Sequence, residues 1–172
     1  MAGHSHVGAL IRKHPRSRLL IDANLLLLYQ VGCFDERAIE TFPRTKQYTI
    51  EDYRLLAKLV GRFSSVVTTP NILTEVSNLS GKLGDANLLR FREAFKGTID
   101  FIEEEYCASL QAARSPAFVK FGLTDAGIAS LASEEGIQVL TDDLRLANWL
   151  ASRGFGAWNF NHIRQQSWSE QG

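Results

Sequence analysis

Five carboxylates in this chain have the type and spacing to do chemistry: Asp22, Glu75, Asp125, Asp142 and Asp143. Asp22 interrupts the apolar run Arg18-Leu19-Leu20-Ile21-Asp22-Ala23-Asn24-Leu25-Leu26-Leu27-Leu28. A lone carboxylate among leucines is costly unless it faces a cation, a donor or water. Each acid also has an innocent reading, because helix N-caps and first-turn acids satisfy orphan amides and the helix dipole. That reading leaves their shared position unexplained. In a parallel sheet, Asp22, Glu75 and Asp142/Asp143 would all emerge at the carboxyl edge, where open α/β sheets bind ligands. Carboxylates gathered there repel one another, and the usual remedy is a hard divalent cation held by oxygen. Mg²⁺ or Mn²⁺ so placed activates a water and neutralises a phosphodiester under in-line attack.

The elements that must position these acids follow from periodicity. Leu19 to Ile21 reads as a buried parallel strand, and the segment from Leu25 as a buried helix. Gly32 to Lys46 reads as a long loop or partly helical excursion. Thr49 caps a helix, with Asp52 at the capping-box position and Tyr53, Leu56, Leu59, Val60 and Phe63 at helical spacing. Ser65 to Thr69 is a strand. Thr69 and Pro70 start a helix that carries Glu75 and stops at Gly81. Residues 82 to 120 are expected to be mostly helical, with Glu103 to Glu105 on a solvated helix face. Thr124 is expected to cap a small-residue helix carrying Asp125. Ile137 to Leu140 is a strand, Leu144 to Ser152 a helix, and Phe155 to Phe160 a last strand. The expectation is an α/β chain with one domain over 18–162, preceded by a leader over 1–17 and followed by a polar tail over 163–172.

The bulk composition excludes several classes. The 172 residues carry 45% hydrophobic and 22% charged residues, the profile of a single globular domain. The formal net charge is zero, so nucleic acid would need a local patch or metal ions rather than a global basic field. Arg90, Arg92 and Lys96 offer such a patch, with Arg145 or Arg153 as further contacts. Cys33 and Cys107 form neither a disulfide framework nor a zinc pattern, and are expected to be reduced thiols in a cytoplasmic protein. The polar N-terminus, with His4, His6 and His14, lacks a signal-peptide apolar region, and the histidines are expected to belong to a tail rather than a metal site. No run approaches the ~20 apolar residues of a membrane span. Gly-rich phosphate loops and G-x-S-x-G are absent. A phosphotransfer receiver would need paired acids early and a lysine late, and the chain has neither.

In order and setting, Leu20-Ile21-Asp22-Ala23-Asn24, Glu75 after the second strand, Thr124-Asp125-Ala126 and Val139-Leu140-Thr141-Asp142-Asp143 resemble the PIN-domain nucleases. The resemblance covers about Arg18 to Phe160. It implies a three-layer α/β/α fold around a parallel sheet and Mg²⁺/Mn²⁺-dependent hydrolysis of RNA. By position it makes Asp22, Glu75 and Asp125 metal ligands and Asp143 the fourth acid, with Asp142 sharing that role. Thr141 would order the site, and Asn24 would orient the first Asp. The chain is also similar in size to VapC-type toxins, which are neutralised by a small antitoxin protein and are often homodimers. The 32–46 and 82–120 segments make it longer than the shortest of these. A catalytically silent PIN-like binding or regulatory module is the alternative that the same resemblance allows.

Overall fold

The first strand, β1 (Arg18–Ile21), is followed without a loop by helix α1 (Ala23–Phe34) in the computed structural model, which describes residues 16–169. Leu19, Leu20 and Ile21 are all buried, so both faces of β1 are covered. In α1, Leu25 to Leu28 and Val31 are buried as well. A helix apolar all round must be enclosed on all sides, and α1 packs against α2 (Ile50–Val60), α3 (Pro70–Ser80) and α4 (Asp85–Ile99). The expected caps hold α2 and α3: Thr49 and Asp52 form a complete capping box, and Thr69 caps α3 ahead of Pro70.

Among the described residues the sheet has five strands in the order β3-β2-β1-β4-β5, all parallel, with β2 at Val66–Thr68, β3 at Glu103–Glu104, β4 at Ile137–Thr141 and β5 at Ala157–Asn159. The chain moves outward from β1 through β2 to β3, then returns to β4 and moves outward the other way to β5. Right-handed crossovers in opposite directions put their helices on opposite faces, which gives a three-layer α/β/α fold. The return passes through α5 (Ser109–Arg114), α6 (Pro116–Phe121) and α7 (Leu123–Leu131); α8 (Leu144–Ala151) joins β4 to β5, and α9 (Phe160–Ser169) follows. In β1 and β4, Ile21 pairs with Leu140. The chain therefore leaves the sheet for opposite faces at two adjacent strand ends, with Asp22 directly after β1 and Asp142-Asp143 directly after Thr141, the last residue of β4.

Three expectations need correction. Glu103-Glu104 is a strand, not a helix face: it pairs with Val67 and Thr68 at the sheet edge, where charge protects an open edge. The segment after α1 is partly helical, as expected, with a 3₁₀ turn at Glu36–Ala38; it packs inward through Ile39, Phe42 and Thr45, and Tyr48 just beyond it is also buried. The polar tail is helix α9 as far as Ser169, anchored by buried Phe160 and Ile163 and by Arg164, whose guanidinium meets fully buried Asp52 at 2.9 Å. Helix α7 begins at Leu123 after Gly122, whose φ of 88° suits glycine, so Thr124 lies inside the helix and does not cap it. The leader's His4, His6 and His14 lie outside the described residues, while Ser17 is buried and its carbonyl accepts from Ser64 N at 3.2 Å. Among the described residues no helix is long and apolar enough to cross a membrane, and Cys33 and Cys107 are free thiols.

Candidate active site

Asp22 forms the floor. It is the N-cap of α1, with one oxygen accepting from Leu25 N at 2.9 Å and the other from Asp142 N at 2.9 Å. The first bond starts the helix; the second ties the end of β1 to the turn after β4. The neighbouring Thr141 hydroxyl also favours the Asp22 carboxylate. These donors favour the carboxylate, but burial and then the charge of Asp142 outweigh them, and the Asp22 carboxyl sits well above its ordinary range.

Asp142 is the most tightly held acid. Tyr48 Oη donates to its Oδ2 at 2.6 Å, and Asn24 Nδ2 donates to both oxygens at 3.3 and 3.4 Å. Its carbonyl accepts from Asn159 Nδ2 at 3.3 Å and Asn161 Nδ2 at 3.0 Å. Asn24 therefore orients Asp142 and not, as expected, Asp22. Burial and then the charge of Asp142 raise the Tyr48 phenol, so it stays a donor. Its ring packs on Phe160 and lies under the Arg164 guanidinium, 5.3 Å away. Asp143 caps α8 through bonds from Arg145 N at 2.7 Å and Leu146 N at 3.2 Å, and its own N–H donates to Thr141 Oγ1 at 3.0 Å. Thr141 Oγ1 thus holds the Asp143 backbone and lies beside Asp22.

Asp125, in the first turn of α7, and Glu75, in the second turn of α3, are half-buried and complete the edge. The Asp125 carboxyl is pushed up to about 7 by burial, then by the charges of Asp143, Glu75 and Asp142. Four segments distant in sequence thus place their acids within electrostatic reach of one another.

The chemistry of this donor set fits a hard divalent cation: every side chain is an oxygen donor, and Asp125 carries a charge its surroundings disfavour. The set is open, however. No group of three or more His, Cys, Asp or Glu side chains among the described residues is gathered closely enough to hold a metal ion.

The basic residues divide. Arg145 follows Asp143 by two positions and stands at the site's rim, 5.8 Å from the Phe121 ring centroid. Arg90 lies over Phe34, the last residue of α1, at 5.2 Å. A helix of this length carries that contact roughly 18 Å from Asp22. Arg92 and Lys96 are exposed on the same helix, which meets α1 again where Thr98 donates to Gln30. This stripe therefore runs along the far half of α1, away from the acids. Arg153 stacks on Trp149 at 3.5 Å, near the end of α8 distant from Asp143.

Tyr48, Asn159 and Asn161 are site residues that the sequence reading missed. Tyr48 sits 94 positions from the acid it holds, in a segment without periodicity. The one usable signal was Asn159-Phe160-Asn161, two amides flanking Phe160 at the end of the last strand. No family model, curated protein or solved structure matches this chain.

Proposed function

We propose that the chain is a metal-dependent ribonuclease that hydrolyses RNA phosphodiester bonds at this acidic edge. The observation that carries the reading is the arrival of Asp22, Glu75, Asp125, Asp142 and Asp143 from four chain segments at the point where a parallel sheet reverses its winding. Asp125, Asp143, Glu75 and Asp22 would hold Mg²⁺ or Mn²⁺, with Asp142 beside them. When bound, the ion supplies an activated water and charge neutralisation at the phosphate. The chain's own residues keep the acids in place: the Asp142 N–H ties Asp22 to the turn after β4, Thr141 holds the Asp143 backbone, Tyr48 and Asn24 fix Asp142, and Asn159 and Asn161 hold the Asp142 carbonyl. Arg145 is the cation best placed for an RNA phosphate.

The resemblance to VapC-type toxins supports a narrower form, a dimeric toxin controlled by a small antitoxin protein, and the two free thiols suit a reducing cytoplasm. A silent binding module is the second reading, favoured by the open ligand set among the described residues. Calorimetric titration with Mn²⁺, followed by cleavage of a mixed RNA panel, separates the two. Binding with cleavage supports the nuclease. Absence of both leaves the binding module.

A further inference from the structure

Helices α3 and α7 border an open groove of about 340 Å³, lined by Asn71, Glu75 and the exposed Thr74 and Asn78 on one side and by Leu123 and Thr124 on the other. The four α3 residues are spaced i, i+3, i+4 and i+7, so they form one face of the helix. Glu75 belongs both to this wall and to the acid set, and Thr124 precedes Asp125. The groove therefore adjoins the acidic edge.

An ordinary solvated helix face is built from long charged residues that favour helix. This one is not. Helix α3 contains no lysine or arginine, and its groove face carries two asparagines and a threonine, all poor helix formers. The side-chain hydrogen bonds of α3 lie at its ends, from Ile72 N to Thr69 Oγ1 and from Ser80 Oγ to Ser77 O. Asn71, Thr74 and Asn78 make none with another described residue.

The walls identify the ligand. A groove with one carboxylate and no cation repels phosphate. Amides and a hydroxyl beside the part-exposed Leu123 suit an uncharged planar group with hydrogen-bonding edges and apolar faces. An unpaired nucleobase is such a group, and proteins read single-stranded RNA through splayed-out bases. The volume is at the lower end for ligand pockets, enough for one base. The geometry points to this groove as the subsite for an unpaired base next to the scissile phosphate, with adenine preferred because asparagine pairs with it through two bonds. The inference rests on the ribonuclease reading and adds to it a groove that reads one unpaired base.

The test separates binding from cleavage. Fluorescence anisotropy in EDTA, with labelled oligo(A), oligo(C) and oligo(U), would compare the wild type with Asn71→Ala, Asn78→Ala and the double variant. Alanine favours helix, so the fold is retained, and circular dichroism checks this. The wild type should bind oligo(A) most tightly, and the double variant should lose roughly ten-fold of that preference while its binding to the weakest oligonucleotide stays unchanged. Equal discrimination in wild type and double variant, or none in the wild type, overturns the subsite. Cleavage with Mn²⁺ is scored separately. Discrimination that depends on Asn71 and Asn78 without cleavage upholds the subsite and removes the nuclease; cleavage without such discrimination does the reverse.

Discussion

Replacing Asp125 with asparagine should make the metal-free protein more stable, and only above a defined pH. The folded protein holds the Asp125 proton up to about pH 7, whereas the unfolded chain releases it near 3.8. Between those values the native state binds more protons than the unfolded one, so wild-type stability falls as pH rises through the window and levels off above it. A rise of this size corresponds to about 4 kcal/mol. Asp125 is only half-buried, and solvent screening brings the expected value to about 2 kcal/mol. In Asp125→Asn the charge is gone, and Asp143, Glu75 and Asp142 lose a repulsive neighbour. Urea unfolding in EDTA at pH 4, 6 and 8 measures the difference. Wild type and variant should be alike at pH 4; at pH 8 the variant should lead by about 2 kcal/mol, which is about 4–8 °C in Tm for a domain of this size. A variant no more stable than wild type at pH 8 would refute the burial of Asp125 among the other acids on which the site rests. A gain already present at pH 4 would assign the effect to something other than ionisation.

Other perturbations probe the supports. Tyr48→Phe removes the 2.6 Å bond to Asp142 and should cost about 1.5–3 kcal/mol in urea unfolding, with slower cleavage. Arg164→Ala strands the Asp52 carboxylate, which is fully buried and has one oxygen already unpartnered, and should cost about 3–5 kcal/mol. A stability loss below 1 kcal/mol would show that α9 does not brace the fold. Gly32→Ala drives a methyl into the Tyr53 ring and should cost about 1–3 kcal/mol by thermal melting.

What could be read from the sequence was whatever local pattern encodes. β1, β4 and most of α1 are buried, so they appear as largely apolar runs, and their ends place Asp22, Asp142 and Asp143. Thr49 and Thr69 announce their helices because a cap is a contact over three residues. β3 was illegible because an edge strand of two glutamates has no apolar face to show. α9 was illegible because only Phe160 and Ile163 of its residues are buried. Tyr48 and Asn161 act across long sequence separations, and the partner of Asn24 depends on which acid the fold brings nearest. The basic stripe on α4 looked suitable by composition, but only the packing of Phe34 and Arg90 shows which end of α1 it covers.

The most direct test of the central claim is cleavage of single-stranded RNA by wild type and Asp125→Asn, with Mn²⁺ and with EDTA. The wild type should cleave with Mn²⁺ alone, and the variant, folded and more stable, should not cleave. Cleavage by Asp125→Asn at the wild-type rate, or by the wild type in EDTA, would contradict the claim.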